Sequence, residues 1–261
     1  MSYFRRVGAG AYRATEHAGG AWNAAEQHIA PSFGLLAHAI EADRDARGNG
    51  HLVIGRISFD ILGTVPVDVE VDVDVTVIRP GRTIELVEAN LTYRGRGVVL
   101  ARAWLMKRYD TESLRGSGFT PIAPPADMQA WNPSEIWPGG FIASAEVRRV
   151  EIEPGRSAFW VRTAVPLLDG EPVSATARAL GLIDITNGMA VRVDPREVAF
   201  PNLDLTAHFF AEPNGEWIGF DTTVSIGPSG IGLTYSIIHD QTGPIGAVSQ
   251  ILTVRPGAST I

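Results

Sequence analysis

The chain contains no cysteine among its 261 residues. A disulfide framework, a thiolate nucleophile and a cysteine-ligated zinc are thereby excluded. It also lacks any apolar run near the roughly 20 residues needed to span a bilayer. A secretory leader needs a continuous apolar stretch, and Arg13, Glu16 and His17 interrupt the only place one would lie. A cytoplasmic location without membrane association is the resulting expectation. Basic residues are the minority, 22 against 29 acidic ones, for a net charge of -7. That balance offers no basic face for nucleic acid and disfavours anionic lipid surfaces. Familiar catalytic signatures are absent too. In Gly227-Pro228-Ser229-Gly230 the second glycine comes one position too early for a nucleophile elbow. No glycine-rich dinucleotide fingerprint or phosphate loop occurs. The histidines at 17, 28, 38, 51, 208 and 239 show no zinc spacing. No cofactor or metal is expected.

What is present is mostly strand. Residues 67–77 read VDVEVDVDVTV, strict alternation with one apolar and one polar face. The carboxylates of Asp68, Glu70, Asp72 and Asp74 share that polar face. Side chains at i and i+2 stand about 6–7 Å apart on a strand, too far to converge on a cation at roughly 2.4 Å. The run reads as a solvated face. Residues 82–93 and 97–107 follow as two further strands, turned at Arg94-Gly95-Arg96-Gly97. In the second half, 216–226, 231–239 and 244–254 repeat this plan around glycine-rich turns. Helical periodicity occurs once in each half, at Pro31–Arg47 and at Pro172–Asn187, each opened by proline and closed before glycine.

These landmarks recur at a fixed offset. Pro80 and Pro228 differ by 148, while Pro66 and Pro213, Arg108 and Arg255, and Gly34 and Gly181 all differ by 147. The chain therefore reads as a duplication. Each copy is one helix plus antiparallel strands, and the helix must bury its apolar stripe against that sheet. The fold class is α+β: two tandem hotdog domains, each a sheet wrapped around a central helix, joined through their edge strands. A barrel or sandwich with accessory helices is the alternative. The predicted domains are residues 1–108 and 140–261. Residues 109–139, rich in proline and glycine, are read as a surface linker.

Candidate chemistry emerges from comparing the copies. By offset, Asp204 stands where the first copy has Ile57, Gln250 where it has Ala103, and Ser225 where it has Val77. Each residue alone has an ordinary reading, as cap, surface amide or strand hydroxyl. Together they are three polar replacements of apolar residues, on three different strands. A carboxylate in an otherwise apolar strand is costly unless paired or functional.

The stretch from Asp204 to Arg255 resembles the C-terminal hotdog of the acyl-CoA thioesterase II family. The resemblance is carried by LDLTAHFF (203–210), Pro213, Glu216-Trp217, the turn Asp240–Gly243 and Gln250. The first copy is similar through GAWN (20–23), the helix near Gly34 and VIRPGR (77–82). The resemblance implies acyl-CoA thioester hydrolysis, with Asp204, Ser225 and Gln250 holding the attacking water. It also implies a homo-oligomer. On that reading the acyl tail lies along Leu180, Leu182 and Ile183, and Arg148 and Arg149 meet the phosphates of CoA. Plain helix core and a solvated strand pair explain these five equally well. A non-catalytic acyl-CoA or lipid-binding protein remains the functional alternative. A hotdog hydratase is disfavoured, since no local Asp, Asn and His loop is present.

Overall fold

The computed structural model describes residues 1–257. The first half contains β1 (Phe4–Gly8), β2 (Ala11–Ala14), α1 (Ile29–Ala46), β3 (Leu52–Ile61), β4 (Glu70–Arg79), β5 (Ile84–Tyr93) and β6 (Arg96–Lys107). The second begins with β7 (Gln129–Trp131), α2 (Gly140–Ala143), β8 (Ala145–Glu153) and β9 (Arg156–Thr163). It continues with α3 (Ala175–Leu180), α4 (Thr186–Met189), β10 (Val198–Ala199) and β11 (Asp204–Phe209). It ends with β12 (Ile218–Ile226), β13 (Ile231–Asp240), β14 (Gly243–Thr253) and β15 (Arg255–Pro256).

Thirteen strands form one antiparallel sheet in the order β1-β2-β4-β5-β6-β3-β11-β14-β13-β12-β9-β8-β7. The order is a palindrome of two equivalent halves with β7 added at one end. The halves meet where β3 pairs with β11, Thr206 opposite Ser58 and Ala207 opposite Ile57. Edge strands that would otherwise invite foreign pairing are thus spent on each other. The sheet curls around the helices. α1 is buried on every side over its first two turns, including Phe33, Gly34, Leu35 and Leu36, as befits a helix with no solvent face. The carboxylates of Glu70, Asp72 and Asp74 stand on the exposed face of β4, and Arg13 pairs with Asp68 and Glu70.

The expected architecture, two hotdog units in an α+β fold, is the observed one. Three details differ from the sequence reading. The segment read as a linker contributes β7, which pairs with β8. Strands β8 and β9, unassigned from periodicity, complete the second sheet. The second central helix is broken. It runs as α3, a 3-10 turn at Ile183–Ile185, then α4. Ile183, Ile185, Thr186, Asn187 and Gly188 crowd this stretch, and β-branched residues, Asn and Gly are poor helix formers. The i+3 bonds Leu182 N–H to Ala179 O and Ile185 N–H to Leu182 O tighten the chain there.

The two central helices cross at Gly34 and Gly181, the pair that marks the repeat. A Cβ on Gly34 would lie 2.8 Å from the carbonyl oxygen of Ala177 and 2.8 Å from the Cα of Gly181. Only glycine permits that approach of backbones.

Candidate active site

The break in the second helix places one carboxylate in the interior. Asp184 is buried and accepts two hydrogen bonds on the same oxygen. Gln250 Nε2 and Asn202 Nδ2 each donate to Asp184 Oδ1 at 2.7 Å. Thr186 Oγ1 donates to Gln250 Oε1 at 2.8 Å, which fixes the amide so that its nitrogen faces the carboxylate. Thr186, Gln250 and Asp184 therefore form one directed chain that leaves the helical segment, crosses to β14 and returns. No protein donor among the described residues bonds Asp184 Oδ2. Burial raises the Asp184 carboxyl from 3.8 to about 7, against the lowering effect of the Asn202 and Gln250 hydrogen bonds. Desolvation of the charged form is the larger effect.

Asp184 lines a cavity of about 140 Å³ built by both halves. The second half supplies Asp184, Asn187, Met189 and Asn202. The first supplies Gly20, Trp22, Gln27, His28, Ile29 and Thr64. His28 caps α1, its Nδ1 accepting the Ala30 N–H at 3.2 Å. Burial lowers the His28 imidazole to about 3, so the ring is neutral. With Nδ1 an acceptor, the ring proton sits on Nε2. His28 and Ile29, at the start of α1, line the same cavity as Asp184, and the N–H of a first-turn residue such as Ile29 has no intrahelical carbonyl to bond. The site thus brings a proton acceptor and the positive end of a helix to one cavity.

The residues anticipated from sequence fall into separate places. Gln250 is buried and bonds Asp184 directly. Asp204 lies on the opposite face of the sheet, where Oδ1 accepts the Ile251 N–H at 2.7 Å and interrupts the backbone ladder beside β14. Ser225 is exposed on β12, on that same outer face. Two strands separate β11 from β12, so Asp204 and Ser225 stand about 14 Å apart at ~4.8 Å per strand. These three side chains do not converge. Of the apolar candidates, Leu180 and Ile183 pack in the core and Leu182 lines a different cavity. Arg148 approaches Glu146 at 3.6 Å. Arg149 pairs with Glu151, donates to Ser157 and stacks on Trp131. None of the five borders the cavity of Asp184.

The physical reason is strand parity. Ladder pairs place Ala103, Val87 and Val77 in one row of the first half, and Gln250, Thr234 and Val224 in the matching row of the second. Val77 therefore corresponds to Val224, and Ser225 to the exposed Ile78. On the other side, the ladders put β3 and β11 one residue out of the common offset, since Ile57 pairs with Ala103 while Thr206 pairs with Ser249. Ile57 then matches the buried Leu205, and Asp204 matches Arg56. A slip of one residue exchanges the faces of a strand, so Asp204 and Ser225 looked like inward replacements when they point outward. The helix carries no such slip, as Gly34 and Gly181 show. Carried along it, the same offset of 147 puts Asp184 against Ala37 and Thr186 against Ala39. With Gln250 against Ala103, all three interior polar residues replace alanine. The signal was in the sequence, on the helix rather than the strands.

Comparison with known proteins adds an independent line. Residues 18–106 match the family model for the N-terminal domain of acyl-CoA thioesterases, and residues 122–254 match that for the C-terminal domain. The chain belongs to the acyl-CoA thioesterase family. No curated protein sequence matches it significantly. Among solved structures it is similar to a candidate thioesterase from Novosphingobium aromaticivorans, at 18% identity and TM-score 0.72, covering 97% of this chain and 98% of that one. A candidate thioesterase II from Thermobifida fusca gives 17% identity and TM-score 0.74, covering 96% and 94%. An acyl-CoA thioesterase II, TesB2, from Mycobacterium marinum gives 18% identity and TM-score 0.68, covering 98% and 96%. At these identities the likeness establishes the shared double hotdog fold. Among the described residues of this thioesterase-family chain, no helix is long and apolar enough to cross a membrane.

Proposed function

We propose that this chain hydrolyses acyl-CoA thioesters to a free acid and CoA, with Asp184 as general base. The observation that carries the reading is the Asp184 carboxylate, buried, oriented through Oδ1 by two amides, with Oδ2 left for solvent. Water held at Oδ2 gives up a proton to Asp184 and attacks the thioester carbonyl carbon. The oxyanion that forms faces the Ile29 N–H at the start of α1 and the Nε2–H of His28. Collapse breaks the C–S bond, and the departing thiolate takes the proton back from Asp184. A base poised near the working pH is the efficient choice for such transfers. Electrostatic stabilisation of the oxyanion acts strongly in a buried site. No lysine or arginine lines the cavity, so it takes the acyl and thioester end while the CoA phosphates remain outside.

The test is CoA release, followed by thiol detection, for wild type, Asp184→Asn and Asp204→Asn. Asp184→Asn is expected to lose at least about 10²-fold in kcat, the usual contribution of a positioned base. Asp204→Asn is expected to keep kcat within a few-fold. Loss of turnover in Asp204→Asn alone would overturn the assignment. Acyl-CoA binding without CoA release in wild type would identify a binding protein instead.

A further inference from the structure

We infer that a second cavity, the repeat counterpart of the one beside Asp184, is a binding site for a free long-chain carboxylate. The claim stands on its own geometry and does not rest on hydrolysis at Asp184. In the palindromic sheet β2 and β9 hold the same place relative to the seam, as do β3 and β11. The second cavity is lined by Leu167 between β9 and α3, Ala175 at the start of α3, and Pro213 between β11 and β12. The Asp184 cavity is lined by the matching segments of the first half. These are Gly20 between β2 and α1, His28 at the start of α1, and Thr64 between β3 and β4. His28 and Ala175 differ by 147, the offset of Gly34 and Gly181. Duplication thus supplied the same cavity walls twice. It left the catalytic groups on one side. At that offset Asp184 and Gln250 correspond to Ala37 and Ala103, both fully buried, so the second cavity has no counterpart of the base.

Its walls and rim select the ligand. Val165, Leu167, Ala179, Leu182 and Ile218 make the walls apolar. Tyr3 and Thr163 also line it, but their hydroxyls are engaged with each other, Tyr3 Oη donating to Thr163 Oγ1 at 3.1 Å. At the exposed rim, Arg178 is the one cation lining the cavity. Its guanidinium donates to Val173 O at 2.9 Å, and among the described residues no carboxylate pairs with it. Glu216, the one acid of the lining, is turned to Arg162 at 3.3 Å. An apolar interior with a single unpaired guanidinium at its mouth fits an amphiphile with a single carboxylate head. The several phosphate charges of CoA would need more than one cation. The volume, about 590 Å³, is roughly four times the ~150 Å³ that admits a benzene-sized guest, which is room for a tail of roughly 12 to 16 carbons.

The experiment is calorimetric titration of dodecanoate and of 1-dodecanol into wild type, Arg178→Gln, Arg178→Lys and Ala179→Phe. Dodecanoate is expected to bind wild type and to lose roughly tenfold in affinity in Arg178→Gln, with Arg178→Lys keeping more of it. Dodecanol carries no charge and is expected to bind wild type and Arg178→Gln alike. From hexanoate to dodecanoate, affinity is expected to rise about threefold per methylene buried. Ala179→Phe puts a ring into the cavity and is expected to abolish dodecanoate binding. If that variant fails to fold, the exposed change Arg178→Gln decides alone. Free CoA is expected not to displace dodecanoate. Absence of dodecanoate binding, equal affinity in wild type and Arg178→Gln, or displacement by CoA would overturn the inference. None of these readings uses CoA release, so a chain that hydrolyses no thioester leaves the site standing.

Discussion

Asp184 carries a cost that its role explains. A carboxyl held at about 7 inside the fold, against 3.8 when free, binds its proton more tightly folded than unfolded. Stability is therefore greatest below the unfolded value, where both states are protonated. It falls as pH rises through the window from 3.8 to about 7, and the penalty is complete above it. Asp184→Asn removes the charge and keeps the shape. Thermal melts are expected to show this variant above wild type in Tm at pH 8 and level with it near pH 4. A lower Tm for the variant at pH 8 would contradict a buried carboxylate. The same proton controls rate. Turnover is expected to rise with pH through about 7 as Asp184 ionises. Gln250 donates to the ionised form and so lowers this carboxyl. Gln250→Leu removes that donor, and the midpoint of the pH–rate profile is expected to move upward. A downward or absent shift would detach Gln250 from the base. At this scale the sequence showed Gln250 by contrast with Ala103, and the same offset set Asp184 against Ala37, a contrast on the helix that a comparison of strand residues passes over.

Among the elements, the helix crossing gives the sharpest contrast between local and tertiary preference. Gly34 lies inside an 18-residue helix, where alanine would normally gain about 0.5–1 kcal/mol. Its missing Cβ, however, would press on backbone atoms of Ala177 and Gly181 that have little freedom to retreat. Overpacking of this kind costs about 1–3 kcal/mol, so Gly34→Ala is expected to lower the urea midpoint. A raised midpoint would mean that the helices part without cost. Elements with strong period, β4 to β6 and β12 to β14, were legible to within a few residues, since alternation reports a half-buried face. The broken helix was not. Its apolar residues keep helical spacing, while the poor helix formers Ile183, Ile185, Thr186, Asn187 and Gly188 gather where the chain tightens. Strands β8 and β9 were also missed. Arg148 and Arg149 interrupt the alternation of β8; Arg148 pairs with Glu146 on the same strand, while Arg149 also reaches Ser157 on β9 and Trp131 on β7.

For the whole molecule, the duplication predicted two hotdog units sharing a sheet, and one seam joins them. β3 and β11 pair across it, and Ile57, Phe59, Leu205 and Ala207 turn inward on both sides. The buried apolar cluster runs without interruption from Phe4 through the helix crossing to Val254. Neither half could separate without exposing that cluster and a row of strand N–H and C=O groups now paired across the seam. The candidate site enforces the same unity, because Asp184 comes from one half and the helix terminus that borders the same cavity from the other. Calorimetry of the full chain is therefore expected to show one cooperative transition, with calorimetric and van't Hoff enthalpies equal. Ser58→Pro tests the cause. Ser58 sits between Thr206 on one side and Arg102 on the other. Proline there removes a ladder bond from a central strand. If the seam couples the halves, this change lowers Tm for the whole molecule and leaves the transition single. Two resolved transitions, with the second half melting at its original temperature, would mean that the halves fold independently and that the site is assembled by docking rather than by folding.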